Sequence, residues 1–94
     1  MTPRLVRLRE GWAAKAGDDV RPLNHTQTNI LWTLMCRRRV TMADIAETVW
    51  PNANRMPETW RTCISVEVCA LRKVLSGTRV SIPRYSNGYS LEAA

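Results

Sequence analysis

Arg61, Thr62, Ser65, Val66, Cys69, Arg72 and Lys73 crowd one short, uninterrupted stretch of the chain. These types suit recognition better than reaction. Arginine is a planar fork that fits phosphate and base edges, lysine is a point charge, and hydroxyls are versatile hydrogen-bonding groups. For catalysis the sequence offers little: His25 is its only histidine, and it has no Gly-rich phosphate loop and no converging pair of carboxylates. Nucleophilic, acid–base and metal chemistry therefore have no candidate residues. The expectation is a binding protein, not an enzyme, with no cofactor. Cys36, Cys63 and Cys69 lack the paired spacing of a zinc site. Cys36 and Cys63 read as small buried apolar residues, and a reducing compartment fits them.

The charge balance points the same way. Fourteen basic residues face eight acidic ones for a net charge of +6, and twelve of the fourteen are arginine. Such an excess suits a polyanionic partner, although solubility alone also accounts for it. The 94-residue length fits a single domain over residues 1–94. Neither a membrane-length apolar run nor a leader-like start is visible, so a cytoplasmic protein without membrane contact is expected.

Helical periodicity explains how the cluster is positioned. Trp60, Ile64, Val68, Leu71 and Leu75 step by three or four and predict a helix over 58–75 with this apolar stripe inward. Thr62, Ser65, Val66, Cys69 and Lys73 then lie on the opposite face, flanked by Arg61 and Arg72. Two shorter helices precede it. Asn24 with Gln27, and Thr41 with Asp44, form capping boxes ahead of the apolar sets Ile30–Leu31–Leu34–Met35 and Met42–Ile45–Ala46–Val49. Arg37, Arg38 and Arg39 read as the cationic end of the first helix, with phosphate contact as the alternative. Residues 4–23 alternate and turn like two or three short antiparallel strands. After the long helix, strands around 78–83 and 89–91 flank a Ser86-Asn87-Gly88 turn, the signal of a hairpin.

Strands over 4–23, a three-helix unit over 24–76 and a hairpin over 78–92 make an α+β plan, that of a winged helix-turn-helix. On four anchors the chain resembles the DNA-binding (effector) domain of OmpR/PhoB-type response regulators. Leu23, Asn24 and Gln27 match the start of that family's first helix, and Val49-Trp50 the end of its second. Leu71-Arg72-Lys73-Val74-Leu75 matches the end of its recognition helix, and Gly88-Tyr89-Ser90-Leu91 the end of its wing. The resemblance implies a stand-alone, cytoplasmic transcription regulator of bacterial or phage origin that binds double-stranded DNA without a receiver domain. Helix 58–75 would enter the major groove and read base edges through Thr62, Ser65, Val66 and Cys69. Arg61, Arg72 and Lys73 would grip phosphates, and Trp50 would offer its indole N–H to another. The 79–91 wing would carry Arg84 towards the minor groove with Tyr89 at its base. The plan leaves room for a homodimer on DNA. Cys69 and Ala70 stand where the family commonly carries basic residues, Glu67 adds a negative charge, and Tyr85 replaces the family's wing arginine. These departures favour an alternative, a protein-interaction module that binds RNA polymerase or another regulator through the loop 51–57.

Overall fold

Backbone pairing at the start of the chain follows from alternation and tight turns. The computed structural model describes residues 3–93. Its first strands, β1 (Arg4–Leu8), β2 (Gly11–Ala16) and β3 (Asp19–Leu23), form an antiparallel sheet in the order β1-β2-β3. Leu5 lies opposite Ala14 and Trp12 opposite Leu23, which fixes the sheet's inward side. Ala14 on that side is buried, and Leu5, Ala16 and Leu23 pack against the core.

Both capping boxes form. In α1 (His25–Arg37) the Gln27 N–H donates to Asn24 Oδ1 at 2.8 Å, and the Asn24 N–H donates to Gln27 Oε1 at 3.0 Å. In α2 (Met42–Val49) the Asp44 N–H donates to Thr41 Oγ1, and the Thr41 N–H to Asp44 Oδ2, each at 3.1 Å. These exchanges satisfy amide donors that a helix start leaves orphaned. The third helix, α3 (Trp60–Val74), starts two residues later than its periodicity predicts. Thr59 at its N-cap makes no side-chain cap bond. Ile30, Leu31, Leu34, Ile45, Ile64, Val68 and Leu71 from the three helices make the centre of the core. Val49 is only half-buried at its margin.

The triple-arginine run divides three ways. Arg37 is in the last turn of α1, Arg38 is its C-cap at φ 67°, and Arg39 opens an unforeseen strand, β4 (Arg39–Thr41). That strand explains the C-terminal region. Beyond α3 come β5 (Val80–Ser81), β6 (Arg84–Tyr85), β7 (Gly88–Ser90) and β8 (Glu92–Ala93). Of the expected strand around 78–83 only β5 forms, and the strand that makes the hairpin is β6, beyond Ile82-Pro83, since proline has no N–H to continue a ladder. β5 pairs with β8, while β6 pairs with β7 in the order β4-β7-β6. The architecture is α+β with a winged-helix-like arrangement, the wing being β6 and β7. Among the described residues no helix is long and apolar enough to cross a membrane.

The wing turn differs from its sequence reading in one respect. Tyr85 pairs with Gly88, so the loop is Ser86-Asn87 and the glycine belongs to the strand. Gly88 also pairs with Thr41, and a Cβ added to it would lie 1.9 Å from the Val40 carbonyl oxygen. Close backbone approach, not turn conformation, demands glycine here. Gly88→Ala should therefore destabilise the fold by about 1–3 kcal/mol or more, as overpacking against immobile backbone does. Urea denaturation of the two proteins reads this directly.

Asp44 gives a second expectation. The Thr41 backbone N–H and the Thr41 hydroxyl hold its carboxyl below its ordinary value against an opposing effect of burial, and the Arg37 guanidinium at 3.6 Å adds the smallest contribution. A folded pKa below the unfolded one stabilises above the unfolded value, near pH 4, and the gain disappears as pH falls through the folded value. Asp44→Asn should shrink the stability difference between neutral pH and pH below about 3. Denaturation curves of both proteins at the two pH values test this.

Candidate nucleic-acid interface

With successive residues turned by about 100°, Thr62, Val66, Cys69 and Lys73 form one lengthwise strip of α3. All four are exposed, Val66 at 60%. Val66 thus presents an apolar side chain to solvent in the middle of the strip. Arg61, Ser65 and Arg72 form the neighbouring strip on the flank that faces the wing. Both arginines are exposed, whereas Ser65 is half-buried and so less open than the sequence pattern indicates.

Arg72 joins helix to wing. Its Nε and Nη2 both donate to the Ile82 carbonyl, at 2.9 and 2.6 Å, and its guanidinium lies 5.5 Å from the centre of the Tyr89 ring. The sequence reading makes Arg72 a phosphate grip. The structure gives two of its three nitrogens to the wing's own backbone, so its first task is positional. Nη1 has no protein hydrogen bond among the described residues and remains open to an anion.

Tyr89 requires a correction. It is 3% exposed and belongs to the core, because it pairs with Val40 on the inward side of the wing sheet. The ring supports the wing from beneath and has no open surface for a duplex. Arg84 pairs with Tyr89 across β6 and β7, shares that side of the sheet, and reaches solvent. The order Arg61, Arg72, Arg84 therefore passes from α3 onto the wing. Trp60 is inward as its stripe predicts, half-buried with the Arg61 guanidinium 4.7 Å above its ring. Trp50 ends α2 half-buried against the core, a placement that leaves part of the indole open.

The electrostatics of this face are one-sided. The two ion pairs among the described residues, Arg21–Asp19 and Arg37–Asp44, involve none of Arg61, Arg72, Lys73 or Arg84. Glu67, which reads in sequence as a weakening of the helix face, is half-buried on the far flank of α3. Its Oε2 is shut off from solvent without a hydrogen-bond partner among the described residues. Its charge is thus set away from the exposed strip.

Arg39 is a candidate for which the sequence weighs phosphate contact only beside a helix-end role, without its place on the wing. It is exposed, and its guanidinium stacks 5.4 Å from the Tyr85 ring, on the wing face opposite Tyr89. Its place in an arginine run makes it look like a helix end, and only the pairing of β4 with β7 brings it to the wing. The cysteines also differ from expectation: Cys36 is exposed and Cys63 half-buried. Cys36 falls on the outer side of α1, where the apolar spacing has already passed.

Arg72→Lys keeps the charge but cannot fork two bonds to one carbonyl. It should cost about 1–2 kcal/mol and speed amide exchange in residues 84–90, with little change in α1. Hydrogen exchange followed residue by residue distinguishes this from general loosening. The sequence matches no family model, and no curated protein is significantly similar to it, so the site is read from its own residues.

Proposed function

We propose that the protein binds double-stranded DNA and regulates transcription in the cytoplasm, as its resemblance to OmpR/PhoB-type effector domains implies. The observation that carries this reading is the exposed strip Thr62–Val66–Cys69–Lys73. It is bordered by Arg61 and Arg72 and continued on the wing by Arg84, with no carboxylate among the described residues paired to any of these cations. A helix of this kind fits the major groove. In this reading Val66 meets a thymine methyl, and Thr62 and Ser65 bond to base edges. Cys69 packs beside them. Lys73, Arg61 and the free Nη1 of Arg72 hold phosphates and set register. Trp50 adds an indole N–H at the end of α2, and Arg84 approaches the minor groove. Tyr89 serves by supporting the wing. Two copies side by side on a repeated site would extend the footprint. No step of this reading needs catalysis or a cofactor.

The test is duplex affinity across a salt series. If Arg61, Arg72, Lys73 and Arg84 each neutralise a phosphate, log affinity should fall against log salt with a slope of about −3 to −4. Lys73→Ala should flatten it by about one unit. Val66→Ala should leave stability within about 0.5 kcal/mol of wild type and change the sequences recovered in site selection, because base contacts carry specificity. A slope near zero, with unchanged selected sites, would overturn the proposal. The alternative would then be capture of RNA polymerase or another regulator by the 51–57 loop. Arg55 is the residue to test there, since Met56 packs against the core and its loss would also unsettle the fold.

A further inference from the structure

Away from α3 and the wing, the first sheet and α1 enclose a cleft of about 630 Å³ lined by Arg4, Leu5, Trp12, Thr28, Asn29, Trp32 and Met35. Trp12 is 39% exposed and Trp32 56%. Large aromatic rings left this open are unusual on a small domain, and here two of them line one cleft with Leu5 and Met35. Alternation explains Trp12: it shares the inward side of the sheet with Ala14 but lies further along β2, at the margin of the helices. Trp32 lies on the outer side of α1, next to the buried Leu31.

The polar groups around this floor have one sign. Arg4 lines the cleft, and the Arg7 guanidinium is held 5.4 Å from the centre of the Trp12 ring. Neither arginine is in an ion pair among the described residues, and the described lining holds no carboxylate. Asp44 and Glu47 line a neighbouring cleft on the other side of Trp32, in company with Arg37, and the exposed Glu10 lies in the β1–β2 turn outside the lining. The stack on Trp12 fixes the Arg7 fork at the rim before anything binds, which lowers the ordering cost of a contact there.

We propose that this cleft docks a short acidic segment of a partner protein, one that inserts an aliphatic or aromatic side chain between Trp12 and Trp32 and lays carboxylates against Arg4 and Arg7. Its charge complementarity selects this occupant over a basic or purely apolar one. A cleft of this volume accommodates one or two bulky side chains, and tryptophan and arginine are the residues most often dominant in such contacts. None of the lining residues belongs to α3 or to the wing, so the site is independent of the duplex-binding proposal.

The test uses a short fluorescent peptide that alternates Glu with Leu and Phe, a matched peptide with Lys in place of Glu, and the full chain. Anisotropy should show the acidic peptide binding and the basic one not. Trp32→Ala and Arg4→Glu, both at exposed positions, should each weaken it by about tenfold or more. Lys73→Glu makes the same charge change on α3 and should leave affinity within about twofold, which separates docking here from diffuse attraction to a basic protein. Equal binding of the two peptides, indifference to Trp32 and Arg4, or an equal loss in Lys73→Glu would each overturn the proposal. Sedimentation of the free protein supplies the remaining outcome. A dimer that Trp32→Ala converts to monomer would assign the cleft to a second copy and overturn it as well.

Discussion

No side chain fits between the backbone of Gly88 and the carbonyl of Val40, and the placement of the wing depends on that approach. Because β7 lies against β4, the wing is hydrogen-bonded to the chain between α1 and α2. Two further bonds extend the attachment, Met42 N–H to the Asn87 carbonyl at 2.9 Å and Leu91 N–H to the Arg38 carbonyl at 2.9 Å. The same register turns Val40 and Tyr89 inward and makes them core. Arg72 then fastens the wing to α3 from the other side. Helix and wing are thereby held by two unrelated contacts, one of backbone and one of a charged side chain. The proposed contact with two grooves at once would need that kind of mutual orientation.

What could be read in the sequence is what depends on near neighbours. A capping box requires two residues three positions apart, and both boxes form as their spacing predicts. The apolar stripe of α3 fixes its buried side because helical geometry is regular, and Ile64, Val68 and Leu71 are buried accordingly. The missed features depend on distant partners. Strand β4 is too short to show alternation, and nothing in Arg39-Val40-Thr41 reveals that β7 will lie beside it. Asn-Gly located the hairpin for a reason that does not operate there, since Gly88 is needed for proximity to β4. The role of Arg72 was hidden for the same cause. An arginine at a helix end looks alike whether its acceptor is a phosphate or a carbonyl ten residues later.

The arginines show how little a net charge of +6 says about its use. Arg21 donates to the carbonyls of Val74 at 2.9 Å and Ser76 at 3.1 Å, tying β3 to the end of α3. Like Arg72 it works as a connector, but its acceptors are carbonyls left over where α3 runs out. Arg7, Arg39 and Arg61 stack on aromatic rings. A stacked guanidinium keeps its hydrogen-bonding edge while losing freedom, so these residues remain competent for anions at reduced entropic cost. Composition counts all of them equally. Only position separates the cations that hold the fold together from those held ready for a ligand.

That separation bears on how the two proposed binding surfaces would coexist in so small a domain. The α3 strip lies on one side of the core and is extended by the wing. The Trp12–Trp32 cleft is built from β1, β2 and the outer side of α1. Both surfaces are cationic, but their floors differ: small and hydroxyl-bearing on α3, wide and aromatic in the cleft. A duplex is charged along its whole length and rewards many spaced cations. A peptide segment is anchored by one or two side chains and rewards an apolar floor with a few fixed charges at the rim. On the two proposals the same excess of arginine would serve two polyanionic partners of different kinds, discriminated by the uncharged residues between the arginines.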